Sequence, residues 1–455
     1  MSQRIDPAEN FLAPTVAEGS PLAARSGIAS TKLCVLMAHT YYQQRGGEDI
    51  VFEAEAELLE SFGHKVIRYV RHNRDVTQQG LLVGATDAIW NREVASEIAE
   101  LVRSHAVDVA HFHNEFPMIS PAAFRAAKSA GAAVVKTLHN QRPLCPKAVC
   151  FRDGQPCTLC VNKRLAWSGI LHGCYRDSRI ATAVTSISAL VHRWSRTLER
   201  DVDFCIAPTN HVRQLYVDSG YPIGRIVLKP HFIEDDLGHA DGDAGYALFA
   251  GRLSEEKGVD VLLDAWQKLD GPPDLKIIGD GPLLSQAQAV GGAVECLGHL
   301  PKRQVYRRMG DAACVILPSS CAETFGRVCV EAFSRGTPVI CADHGGQAEV
   351  VTDAAGLRFK PGDSDALARC VTQFFDESEQ FEARRIAARS EYELRYTPQR
   401  NHEQLLGIYA QALLRNGRDV FHSDTPDVED HPIPANHNQL GRRASGGPET
   451  VRATS

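Results

Sequence analysis

Two glutamates eight positions apart, Glu323 and Glu331, bound the stretch Glu323-Thr-Phe-Gly-Arg-Val-Cys-Val-Glu331. An ionised carboxylate only accepts hydrogen bonds, so a pair of them suits a ligand whose vicinal hydroxyls donate. An apolar run (313–318) precedes the stretch, and Ala332-Phe-Ser-Arg-Gly336 and a second apolar run (338–342) follow it. This spacing predicts strand, turn, helix, strand, with Glu323 on the loop beyond the strand's carboxyl end and Glu331 inside the helix. Open α/β sheets bind ligands at that edge. Gly326 lets backbone come close to a ligand, with Phe325 shaping the pocket beside it. A Glu near a helix start also complements the macrodipole, and a second one in a helix is ordinarily a solvated face, so the pair alone leaves both readings open.

Two cations have a similar placement. Arg252 and Lys257 follow the apolar run 246–250 and precede a helical pattern; a planar fork and a point charge on such a loop suit a diphosphate, or are two exposed cations. Near the start, the strand-like run 32–38 leads through Arg45-Gly46-Gly47-Glu48 into a helical pattern ending near Glu60. A glycine pair there admits phosphate or substrate to the backbone, or is a plain turn; Gly-x-Gly-x-x-Gly spacing is absent. In Asp108-Val-Ala-His111-Phe-His113-Asn114 alternation puts both histidines on one strand face, where they could look into a cleft, ligate a metal or be buried and hydrogen-bonded. The run 132–140 repeats the design, ending in His139.

Cys145, Cys150, Cys157, Cys160 and Cys174, with His172, fall within thirty residues. With no secretory signal they read as a thiolate metal site, Cys150, Cys157, Cys160 and Cys174 holding a structural zinc, or as reduced structural thiols; only one Cys-x-x-Cys knuckle is present. From Lys163 to Arg200 the chain is helical with basic patches and with Trp167 and Trp194 interleaved. That face suits an anionic membrane surface or bulk solvent. Asp201-Val-Asp203 reads as a turn before a strand.

These residues need two α/β units to position them, and 455 residues suffice for two or three cores. A net charge of −7 argues against nucleic acid as a partner, and a composition 44% hydrophobic and 23% charged is that of an ordinary globular chain. No run of about 18 apolar residues implies a membrane span, and thirteen cysteines in a chain of cytosolic character imply mostly reduced thiols. The expected division is a disordered leader (1–30), an amino-terminal domain (31–235) with the Cys-rich insert (145–174), a linker, a carboxyl-terminal domain (245–395), a last helix (396–415) and a disordered tail (416–455).

Glu-Thr-Phe-Gly with a second Glu eight positions after the first, Gly-Thr-Pro-Val-Ile, Gly345-Gly346-Gln-Ala-Glu349 and Phe249-Ala-Gly-Arg252-Leu-x-x-x-Lys257-Gly258 together resemble the donor site of family 4 glycosyltransferases. The resemblance covers about 32–414. It implies a GT-B fold, two Rossmann-like domains facing each other across a cleft, with the last helix crossing back to the first domain. It further implies a retaining enzyme that moves a sugar from a nucleotide sugar to a glycan or lipid-linked saccharide in cell-surface polysaccharide or lipopolysaccharide biosynthesis. Glu323 would face the sugar, Glu331 the ribose, and Arg252 and Lys257 the diphosphate, making a catalytic cofactor unnecessary; Gly46 and Gly47 would close over the phosphates. His113 would be the polar group at the anomeric carbon, His111 and His139 would lie on the acceptor side, and Gly281 and Leu300 near the base. A cytoplasmic protein, peripheral at the inner face of the membrane, would follow. A phosphorylase or nucleotide-sugar epimerase on the same fold, a non-catalytic nucleotide-sugar sensor and a Cys-cluster recruitment module are the rival readings.

Overall fold

The structure is a computed structural model that describes residues 32–43, 45–74, 81–234, 237–240, 242, 244–418 and 450–452. The leader expected at 1–30, part of the linker and most of the tail lie outside the described residues. In chain order the strands are β1 (Cys34–Tyr41), β2 (Lys65–His72), β3 (Val109–Asn114), β4 (Ala133–Thr137), β5 (Phe151–Arg152), β6 (Gln155–Pro156), β7 (Phe204–Ala207), β8 (Ile226–Leu228), β9 (Ala247–Ala250), β10 (Leu275–Ile278), β11 (Val294–Gly298), β12 (Cys314–Leu317), β13 (Val339–Ala342), β14 (Gly356–Phe359) and β15 (Thr450–Arg452).

They form two parallel sheets and one small hairpin: β15-β2-β1-β3-β4-β7-β8, β11-β10-β9-β12-β13-β14, and β5-β6. A parallel sheet must be covered on both faces, and its strands are accordingly apolar on both. In the first sheet Leu36, Ile67 and Phe112 pack against Ile98 and Phe124, while Val35, Met37, Val135 and Ile206 pack on the opposite face against Phe52 and Leu405. The second sheet is sandwiched likewise: Phe249, Ile277 and Ile316 meet Leu262 and Trp266 on one face, and Leu248, Val315 and Cys341 meet Val330 and Phe333 on the other.

Chain order reverses between β1 and β3 in the first sheet and between β9 and β12 in the second. Loops leaving neighbouring strands there turn to opposite faces and open a crevice. Gly46 follows β1 and His113 ends β3; Arg252 and Lys257 follow β9 and Glu323 follows β12.

The helix Pro398–Arg415 starts with Thr397 as its cap and Pro398 in its first turn, and buries Leu405, Ile408, Tyr409 and Ala412 against the first sheet. Tyr409 also fixes His111, whose Nδ1 lies 2.8 Å from the Tyr409 hydroxyl and whose Nε2 lies 2.8 Å from Thr137 Oγ1. His111, expected on the acceptor side, has both ring nitrogens engaged beneath this helix and its side chain wholly buried. The tail also departs from expectation, because Thr450–Arg452 adds to the edge of β2, a pairing that needs only main-chain groups. The two domains touch where Thr209 Oγ1 donates to the Thr324 carbonyl at 2.8 Å and where the Glu349 carboxylate accepts the N–H groups of Asn210, at 2.8 Å, and of His211.

If the last helix anchors the first domain through its apolar face, Leu405→Ala, at a fully buried position, will lower the unfolding free energy by about 2–5 kcal/mol. Leu414→Ala, 45% exposed on the same helix, will change it by less than about 0.5 kcal/mol. Equal losses in a denaturant titration would contradict this packing.

Candidate functional site

The crevice of the second sheet gathers charge. Lys257 Nζ lies 2.6 Å from Glu323 Oε1, and Ser319 Oγ donates to the same oxygen at 2.7 Å. The Glu323 N–H donates to Gln347 Oε1 at 3.1 Å, and its carbonyl accepts the Gly346 N–H at 2.7 Å, so the loop is held by main-chain and side-chain bonds together. Gly258, which starts the helix Val259–Lys268, has φ +69°, and a Cβ there would stand 1.9 Å from the Pro318 carbonyl oxygen. Glycine at this position lets the loop after β9 press against the loop after β12. Gly326, with φ +82°, starts the helix Arg327–Ser334. On that helix Arg327 Nε donates to Glu331 Oε1 at 2.9 Å. Arg252 is exposed on the same edge, with no ion-pair partner among the described residues. Burial works to raise the Glu323 carboxyl, but the Lys257 ammonium and the bonds from Lys257 and Ser319 outweigh it and hold the group below its ordinary value. Lys257, burdened by burial, is held above its ordinary value by Glu323.

The crevice of the first sheet is lined by histidines. His113 Nδ1 and His139 Nε2 are 2.9 Å apart, the His139 ring stacks on His231 with centroids 5.2 Å apart, and His231 meets Phe325 edge-on at 5.0 Å. His113 sits deepest, 3.5 Å from Glu55, whose other oxygen pairs with buried Lys229. His139 stands between His113 and the second domain. Burial first, then the neighbouring imidazoles, pushes His113 and His139 well below the usual histidine range, so both rings are neutral near pH 7. Gly46 and Gly47 begin the helix Gly47–Ser61; Asp49 Oδ2 accepts the Gly46 N–H at 2.8 Å while Oδ1 lies 2.7 Å from His39 Nε2.

Several positions differ from the expectation. Phe325 is only 3% exposed and packed between His231 and Tyr396, so its ring is core rather than pocket wall. Gly281, expected near the base, packs on the loop after β9, where a Cβ would stand 2.4 Å from the Leu253 carbonyl oxygen, and Leu300 is partly buried against the core; neither position contradicts that expectation. Glu48 and Asn140 carried no expected role, yet Asn140 Nδ2 donates to Glu48 Oε1 at 2.8 Å and Tyr42 donates to Oε2 at 3.0 Å, beside His139. Burial raises the Glu48 carboxyl despite these bonds. Its adjacency to Gly46-Gly47 was the available signal. Cys157, Cys160 and Cys174 line one cavity with Cys145; Cys150 touches Cys145 from outside it.

The Lys257–Glu323 pair fixes the sign of a pH dependence. The lowered carboxyl contributes stability that is present above the ordinary carboxylate range and lost as pH falls through the folded-state value; the raised ammonium contributes below the ordinary lysine value and is lost as pH rises through its own. The melting-temperature gap between wild type and Glu323→Gln will therefore be widest near neutrality and close on acidification. A gap that widens in acid would count against the pair.

Comparison with known proteins agrees with this geometry. A model of "Glycosyl transferases group 1" matches residues 235–391 and one of "Glycosyltransferase Family 4" matches residues 45–237. Among relatives, a teichuronic acid biosynthesis glycosyltransferase of Bacillus subtilis is 34% identical over 29% of this chain and 33% of its own length. The uncharacterized glycosyltransferase MJ1178 of Methanocaldococcus jannaschii is 29% identical over 34% of this chain and 45% of its own, and glycogen synthase of Mycobacterium tuberculosis is 33% identical over 31% and 36%. The chain thus matches less than half the length of each of these relatives. Among solved structures, Anabaena HepE in complex with UDP-glucose superposes with a TM-score of 0.59 at 17% identity, covering 84% of this chain and 100% of that one. Sucrose-phosphate synthase of Thermosynechococcus elongatus gives 0.60, 17%, 84% and 100%. With one family model on each domain and a two-domain fold shared with these structures, the chain belongs to the group 1, family 4 glycosyltransferases of the GT-B fold.

Proposed function

We propose that the chain is a retaining glycosyltransferase that moves a sugar from a nucleoside diphosphate sugar to a hydroxyl of a glycan or lipid-linked saccharide. The observation that carries this reading is the Lys257–Glu323 pair at the switch point between β9 and β12, with Arg252 on the loop that carries Lys257 and Glu331 on the helix that follows Glu323. The UDP-glucose bound by HepE favours a uridine donor, and the teichuronic acid relative favours a surface polymer as product.

In this reading Arg252 and Lys257 take the diphosphate, whose charge grows as the glycosidic bond breaks. A diphosphate competes with Glu323 for the Lys257 ammonium, and the carboxylate so released accepts from sugar hydroxyls. Glu331 accepts from the ribose hydroxyls. The acceptor hydroxyl attacks on the face the diphosphate leaves, and its proton passes to the departing phosphate oxygen. Neutral His139 orients the hydroxyl or the sugar from the first domain, and His113 behind it is a positioning residue. Glu48 and Asn140 border the acceptor's path.

The face from Trp167 to Trp194 supports a peripheral encounter with an anionic membrane, and so a lipid-linked acceptor at its inner surface. Trp194 is 86% exposed, Ile180 66% and Trp167 63%, among Arg164, Arg179 and Arg193. No helix among the described residues is long and apolar enough to cross a membrane.

Three outcomes test the proposal. UDP or a UDP-sugar will raise the melting temperature of wild type but not of Glu331→Ala; no shift with any nucleotide would remove the donor site. Lys257→Ala will lower kcat/KM by about 100- to 1000-fold, the scale for losing one stabiliser of developing charge. Anomeric NMR of the product will show retention. Turnover with phosphate replacing the acceptor would instead identify a phosphorylase, and donor binding without turnover a sensor. Anionic vesicles will co-sediment the protein, and Trp167→Ala with Trp194→Ala will release it; recovery equal to that with neutral vesicles would reject the membrane face.

A further inference from the structure

The insert 145–174 contains little that could hold it together by itself. Its regular structure is the two-residue strands β5 and β6 and the short helix Trp167–His172. Six of the nine non-glycine residues with positive φ among those described lie between 145 and 177: Ala148, Cys150, Asp153, Asn162, Arg176 and Asp177. Left-handed backbone is unfavourable at such residues, least so at Asn and Asp, and persists where surrounding structure enforces it.

These turns bring four cysteines to the wall of one cavity, around a space their sulfurs have yet to close on. Cys145, Cys157, Cys160 and Cys174, up to 29 positions apart in sequence, line a single small cavity, and all are free thiols. Backbone donors are turned onto the sulfurs: Cys145 accepts from the N–H groups of Lys147, Ala148 and Cys150, and Cys160 from that of Gly169. Gly169 makes the approach possible, since a Cβ there would come within 3.4 Å of Cys160 Sγ and 3.0 Å of Pro146 Cγ. The walls carry positive charge from Lys147 and Arg152, and Arg152 Nη1 is buried with no hydrogen-bond partner among the described residues.

We propose that Cys145, Cys157, Cys160 and Cys174 bind one zinc-class divalent cation as four thiolates, with Cys150 a fifth thiol outside the ligand set. Four sulfurs close a tetrahedral site and leave no position for water, so its role is structural. Each thiol gives its proton to solvent as its sulfur takes a coordination position, and the site's net double negative charge falls between Lys147 and Arg152. The consequence reaches the acceptor side: Arg142, next but one to Asn140, donates through Nη1 to the Pro146 carbonyl at 3.2 Å, so a metal on Cys145 pins that wall. Glycosyl transfer itself needs nothing from the cation, and the site stands whether or not the donor reading holds.

Metal analysis of the full chain, purified under reducing conditions, will find about one zinc per chain. Cobalt exchanged into the wild type will give the thiolate charge-transfer and tetrahedral ligand-field absorption of a four-sulfur site. Cys150→Ser will keep both signals, Cys157→Ser will lose them, and a strong chelator will lower the wild-type melting temperature. Wild type that takes up no zinc and gives no cobalt–thiolate band would overturn the proposal without reference to any variant, as would disulfide-linked peptides among these cysteines in protein alkylated at lysis. Loss of metal in Cys150→Ser with retention in Cys157→Ser would overturn the ligand set.

Discussion

An ammonium and a carboxylate 2.6 Å apart, Lys257 and Glu323, meet where the second sheet reverses its strand order. Neither would be tolerated alone in that half-closed place, because desolvation acts against both charged forms. Their loops must therefore be brought together, and the second domain is arranged to do so. β9 and β12 are neighbours, Gly258 lets one loop press on the backbone of the other, and Ser319 and Gln347 hold Glu323 from two sides. A pair of opposite charges at the mouth of a crevice also makes that crevice selective. A ligand has to replace each partner for the other.

The first domain answers with groups that carry little charge. His113, His139 and His231 form a row of neutral rings from the Glu55–Lys229 pair to Phe325 on the donor loop. Neutrality follows from burial, and it suits a site opposite Arg252 and Lys257, where further positive charge would be repelled. Charge is thus divided between the domains: the second holds the ion pair at its crevice, the first a row of neutral rings.

Much of this was legible in the sequence, and the limits have physical causes. Strands buried on both faces write continuous apolar runs, so 313–318, 338–342 and 246–250 marked β12, β13 and β9, and the residues after β9 and β12 marked the crevice between them. Alternation placed His111 and His113 on one face but could not say what covers that face. The cover is a helix from almost three hundred positions later, whose Tyr409 claims His111. Phe325 was misplaced for a similar reason, since its neighbours His231 and Tyr396 are remote in sequence. Spacing alone could not show that Cys145 lines a cavity with Cys157, Cys160 and Cys174, because that wall depends on turns at Ala148 and Asp153. Glu48 and Asn140 meet only in three dimensions.

The carboxylate of Glu349 grips the second domain's neighbour by main-chain N–H groups, at Asn210 and His211, and not by any side chain. Every residue but proline offers such a group. The helix Asn210–Asp218 is then free to vary at its contact positions over evolutionary time without disturbing how the domains meet, provided Thr209 still caps it and no proline enters its first turn. The constraint falls instead on Glu349, in the helix Gly345–Val350 of the other domain, and on the Thr209 hydroxyl that donates to the Thr324 carbonyl. Substitution along that helix can proceed while the contact between the halves is kept.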